Sequence, residues 1–142
     1  MGGVVADHLQ RIRDLGADLA AAGDAFAGIR ANLAAAVAAL SDATDWMIEN
    51  GLADPKQALS GATPYLEMFG LVTGGWLSAR LALAAQDELD AGSSDTAYLT
   101  AKVTTARFFA DHHLPRVAGL MGAVTAGAAN LYSVDADGLA SV

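Results

Sequence analysis

Three histidines, three glutamates and no cysteine are the residues from which this chain would have to build metal or nucleophile chemistry. A carboxylate-bridged two-metal bundle needs Glu-x-x-His on facing helices together with further glutamate ligands. Glu49, Glu67 and Glu88 each lack a histidine three residues later, and His-Glu-x-x-His does not occur. His112 and His113 are adjacent, so on a helix their imidazoles point about 100° apart and away from a shared ion. His113 stands just before Pro115 and is expected to donate to a carbonyl that the proline leaves free. His8 is expected to be half exposed near its terminus. The lack of cysteine excludes a disulfide scaffold, a thiolate metal site and a thiol nucleophile. Gly-x-Ser-x-Gly, Gly-x-x-x-x-Gly-Lys-Ser/Thr and Gly-x-Gly-x-x-Gly are also absent. The chain is therefore expected to hold no catalytic, no cofactor-binding and no metal-binding residue.

Most acids, among them Asp24, Asp42, Asp45, Asp54, Asp87, Asp90 and Asp95, fall near expected helix ends, where solvation and helix dipoles account for them. Glu67 is the exception, set among Tyr65, Leu66, Met68 and Phe69. It is expected on a narrow exposed stripe or paired with a cation such as Arg107 or Lys102. Gly70 and Gly74 are spaced to let two helix backbones approach. Tyr65, Phe69 and Trp76 follow at helical spacings and are assigned to the core, where Trp76→Ala would cost about 3–5 kcal/mol.

Such residues need elements to hold them, and the hydrophobic spacing is helical throughout. Val5, Ile12, Leu19, Phe26, Leu33, Leu40 and Met47 recur every seven residues. His8, Leu15, Ala22, Ile29, Ala36 and Ala43 each follow three residues after one of them. This a/d seam keeps its phase across Gly23-Asp24, which favours one long helix from Val4 to Asn50. Asp54-Pro55-Lys56-Gln57 has the pattern of a helix start, with Asp as cap and Pro in the first turn. Pro64 predicts a kink or restart. The apolar run from Pro64 to Ala85 is expected at the bundle centre, and Asp87 to Asp95 as a loop. A second seam runs from Leu99 through Val103, Ala106, Ala110, His113, Val117, Leu120, Val124 and Gly127 to Leu131. Pro115 leaves its phase unchanged, which favours a kinked helix over a break. The expected fold is all-α: an antiparallel bundle of three to five long, possibly kinked helices over residues 1–132, with a frayed tail at 133–142.

Composition limits what such a bundle can bind. Of 142 residues 54% are hydrophobic, but 33 are alanine, so much of the core is small side chain. A chain of this length buries about two-thirds of its unfolded surface without staples. The formal charge of −8 argues against nucleic acid and against an anionic membrane surface. No basic segment precedes an apolar run at the start, and the charge-free stretch Met68 to Ala79 is too short to span a bilayer. A cytoplasmic location is expected.

The blocks Thr63-Pro-Tyr-Leu-Glu-Met-Phe-Gly-Leu-Val-Thr-Gly-Gly-Trp-Leu and Lys102-Val-Thr-Thr-Ala-Arg-Phe-Phe-Ala-Asp-His-His-Leu-Pro-Arg, with the trailing Thr125-Ala-Gly-Ala128, carry a resemblance. They resemble the C-terminal accessory helical domain of bacterial acyl-CoA dehydrogenases, the acetyl-CoA dehydrogenase C-terminal-like group found in methylmercaptopropionyl-CoA dehydrogenases and some long-chain enzymes. The resemblance spans about Val5 to Ala129. It implies a parent flavoprotein that oxidises an acyl-CoA thioester to its 2,3-enoyl form through FAD. It also implies that flavin, substrate pocket and catalytic base lie on other domains, so none is carried onto this chain. The implied partners are the catalytic domains of that parent. A free-standing helical adaptor is the alternative. A homo-dimer is also expected, because a continuous first helix would overhang its neighbours and leave Val5, Ile12 and Leu15 uncovered.

Overall fold

The computed structural model describes residues 3–140, all of whose regular elements are helical. Residues 1, 2, 141 and 142, the outermost positions of the expected bundle and tail, lie outside them. Helices α1 (Gly3–Ala21), α2 (Ala27–Ala53), α3 (Pro55–Asp90), α4 (Thr96–His112) and α5 (Arg116–Thr125) form the bundle, and α6 (Ala136–Ala140) is one short turn in the tail. The all-α class is as expected.

The long first helix is not. Gly23 adopts φ +90°, a backbone conformation that side-chain-bearing residues rarely take, and a 3-10 turn over Asp24–Phe26 follows it. The chain reverses there, and the two halves of the a/d seam pack on each other. Ile12 and Leu19 share one shallow groove with Leu33 and Val37. Heptad phase survives because each helix buries its own stripe against the other, so spacing alone could not reveal the reversal. The overhang disappears with it: Ile12 and Leu15 are buried and Val5 is partly covered.

At the α2–α3 junction Asp54 is extended, and its carboxylate accepts from the Lys56 amide at 3.1 Å. Pro55 fills the first turn, where its missing N–H would have had no partner. Helix α3 continues through Pro64 without restarting. Met68, Val72 and Ala79 on its inner face are fully buried, and it touches every other bundle helix, as a central element should. By length and composition α3 as a whole could cross a bilayer, although its charge-free stretch could not. Within this fold its inner face is the core.

Helices α4 and α5 lie end to end, antiparallel to α3. Phe109 meets Gly74, Leu114 meets Gly75, Arg116 reaches Glu67, and the Val124 carbonyl lies on Gly61. Pro115 separates them with a break where a kinked continuous helix was expected. The His113 and Leu114 amides both turn back to the Phe109 carbonyl, then Arg116 and Val117 donate to His113 and Leu114 in tight 3-10 fashion. A single turn is thereby spent on rerouting the hydrogen bonds that Pro115 cannot make. Leu114, turned inward by the break, is buried, whereas His113 on the expected seam is only half covered. The close approaches also correct the Gly70–Gly74 reading. Gly74 and Gly75 face neighbours, but a Cβ on Gly70 would meet nothing within 4 Å.

The bundle ends at Ala128, whose amide donates to Gln57 Oε1 at 3.1 Å; residues 129 to 140 are exposed throughout. Leu131, placed on the second seam by spacing, is 65% exposed.

Candidate functional site

The histidines are structural in their surroundings. His8 Nε2 lies 3.1 Å from Thr73 Oγ1, its ring stacked on Phe69 and edge-on to Trp76 at 5.4 Å each. It is half-buried, as expected, and ties α1 to α3. His113 lies against Phe109 at 4.9 Å between centroids and makes no bond to a freed carbonyl. His112 sits on Phe108 at 4.4 Å. Among the described residues no three His, Asp or Glu side chains converge on a point that could hold a metal.

Glu67 lies on the exposed side of α3 and accepts from Arg116 at 2.9 Å. Its partner is neither Arg107, which donates to the Ala25 carbonyl, nor Lys102, whose ammonium lies over the Tyr98 ring. With both side chains about half exposed, the pair contributes at most about 1 kcal/mol.

Trp76 is half-buried. One side of its ring packs on the core and the other carries the Arg80 guanidinium, 5.0 Å from the centroid. The full-burial cost is therefore lowered, and Trp76→Ala is expected to destabilise the chain by about 2 kcal/mol. Urea unfolding followed by circular dichroism would give that figure; a loss of 4 kcal/mol would mean a ring far better enclosed.

Sequence spacing missed an open apolar groove. A groove of about 490 Å³ runs between the N-terminus of α1, the C-terminal turn of α2 and the first turns of α3. Val5, Met47, Ile48, Leu52, Pro55, Leu59 and Tyr65 line it, and Leu52 and Leu59 are 68% and 66% exposed. Its few polar groups are already engaged. Thr44 donates to the Leu40 carbonyl at 2.7 Å, so its single proton is used and Tyr65 must donate to Thr44 across 2.9 Å. The only sequence signal was Leu52 and Leu59 flanking the Asp54-Pro55 helix start.

A second hollow, of about 720 Å³, lies where Asp18 approaches Asp87 and Asp90 with Gln86. Those carboxylates would repel a pyrophosphate, and the apolar groove offers no spare donor to one. Among the described residues no buried side-chain polar atom lacks a partner. Neither of these two hollows fits a flavin dinucleotide. What the surface offers instead is apolar contact area: the groove, and the leucines along the outer side of α3.

Comparison with known families agrees with the resemblance read from the blocks around Tyr65 and Phe108. The family model described as acetyl-CoA dehydrogenase C-terminal like matches residues 8–135. No curated protein matches the chain.

Proposed function

The chain belongs to the acetyl-CoA dehydrogenase C-terminal-like family, and from that membership we propose that it is a non-catalytic accessory domain. Its partners are the catalytic domains of a flavin-dependent acyl-CoA dehydrogenase, in the cytoplasm. The family match over residues 8–135 is the observation that carries this reading. In such an enzyme FAD takes up the electrons released when the acyl-CoA becomes its 2,3-enoyl form. That chemistry is assigned to the catalytic domains. Supporting this division, the groove beside Leu52 is apolar with its hydroxyls engaged, and the hollow beside Asp18 is lined with carboxylates. The apolar groove, with Leu52 on its rim, is the proposed seat of the catalytic body.

Two observations test the proposal. The reading frame upstream of Met1 in the source genome should continue into a dehydrogenase-like sequence; a stop codon there would turn the reading toward the free-standing adaptor. The purified chain should be colourless and inactive in acyl-CoA-dependent dye reduction. It should also co-purify with separately expressed catalytic domains and lose them on Leu52→Glu.

A further inference from the structure

The outer side of α3 carries a seam that the described chain leaves largely exposed, with Thr73 bonded to His8 of α1 and the Lys56 ammonium over the Tyr132 ring of the tail. Leu59, Leu66, Gly70, Leu77, Leu81 and Ala84 lie within about 40° of one line along the helix, opposite the buried Met68, Val72 and Ala79. The four leucines are between 46% and 70% exposed. With Thr63 and Thr73 between them, the positions step by four and three, with one repeated four from Thr73 through Leu77 to Leu81, the spacing with which one helix meets another. No charge interrupts this line from Leu59 to Ala84.

Gly70, near the middle, is the second observation. In an exposed helix interior glycine costs up to about 1 kcal/mol relative to alanine. Here neither a positive φ nor a neighbour calls for it, since a Cβ would meet nothing within 4 Å. The bare backbone there leaves room for a helix crossing from outside the chain. The third observation is charge. The same line ends in Lys56 on one side and Glu88 on the other. A parallel copy would set lysine beside lysine and glutamate beside glutamate. An antiparallel copy, related by a two-fold near Val72, sets each Lys56 beside the partner's Glu88. It also places Leu66 opposite the partner's Leu77 and the small Gly70 opposite the partner's Thr73. Such a surface is complementary to itself, which a two-fold interface requires.

We propose that a second copy of this chain pairs antiparallel along the outer face of α3. A helix of 36 residues is about 54 Å long, and two laid along this seam bury on the order of 800 Å² per partner, enough for a stable dimer. The charge of −8 on each chain opposes pairing only weakly at physiological salt, where screening acts over about 8 Å. The pairing deepens the packing role proposed above; its seam shares Leu59 with the groove that Leu52 borders, but Leu66, Leu77 and Leu81 lie outside that groove, so substitutions at Leu52 and at Leu66 or Leu77 let the two fail separately.

Sedimentation equilibrium of the 142-residue chain in 0.15 M salt, over a wide concentration range, is the test. The expected result is a dimer, twice the 14.4 kDa chain mass. Leu66→Glu and Leu77→Glu should each give a monomer with unchanged far-ultraviolet circular dichroism, because both side chains are exposed. Lys56→Glu should weaken pairing about tenfold, since it affects two equivalent contacts, and adding Glu88→Lys should restore it. A monomer at every concentration overturns the proposal, even if this face then binds catalytic domains or lipid vesicles. A dimer indifferent to Leu66→Glu and Leu77→Glu overturns it as well, and so does a charge swap that fails to restore pairing. Leu52→Glu should leave the dimer intact while releasing the catalytic domains, which separates the two readings.

Discussion

Phe26→Ala is expected to cost about 3–5 kcal/mol, a third or more of the stability of an ordinary domain. The ring is fully buried although it stands in the 3-10 turn between α1 and α2, where a side chain would ordinarily face water. Its removal leaves a cavity at the closed end of the α1–α2 hairpin. The turn has little freedom to collapse into that space, because Gly23 already holds a constrained conformation and the Phe26 amide donates to the Gly23 carbonyl at 3.0 Å. The thermal midpoint should fall by 10 °C or more. Phe26→Leu, which keeps most of the volume, should lose less than half as much. A midpoint within about 3 °C of the parent for Phe26→Ala would show that the hairpin end repacks, and that α1 is held by its length alone.

Phe26 also marks the limit of what was legible in the sequence. Its burial could be read from the seven-residue repeat; its place in a reversal could not. A repeat measures which side of a helix is covered, and that side is the same whether the cover comes from another chain or from the next helix folded back. The reversal depended on the backbone of Gly23, a single residue whose conformational freedom leaves no periodic trace. Pro115 follows the same logic from the opposite side. Helices α4 and α5 remain collinear along α3, so the seam kept its phase through a true break. Asp54-Pro55 was legible because a cap and a first-turn proline act locally, with no need of a tertiary partner.

The surface was less legible than the core. Spacing identified the inner face of α3, but an all-round apolar helix gave no sign of which leucines would remain uncovered. Spacing places Leu66, Leu77 and Leu81 with the rest of the central run, and only the placement of α1, α2, α4 and α5 leaves them outside. Glu67 shows the same dependence at the level of a single contact. Its need for a cation followed from its apolar neighbours, yet the choice of Arg116 followed from the register of α5 against α3, which the break at Pro115 sets.

That register rests on a backbone approach which Gly61→Val should disrupt, at a cost of about 3 kcal/mol. A Cβ built on Gly61 falls on the carbonyl oxygen of Val124, closer than side-chain carbons approach oxygen in folded proteins. The obstacle is main chain, inside α5, so no rotamer change relieves it; α5 must move away from α3 as a unit. Such a shift would also draw Val124, which is fully buried, out of the core and loosen the Gln57–Ala128 bond that closes the bundle. Glycine-to-alanine replacement in an open part of the same helix should do the reverse. A Cβ on Gly122 meets nothing within 4 Å, so Gly122→Ala should stabilise by about 0.5–1 kcal/mol through helix propensity and a less flexible unfolded chain. Urea midpoints of the two variants, moving in opposite directions from the parent, are the expected result. A Gly61→Val midpoint equal to the parent's would mean that α5 is not seated on α3 at Val124, and the register that pairs Arg116 with Glu67 would fall with it.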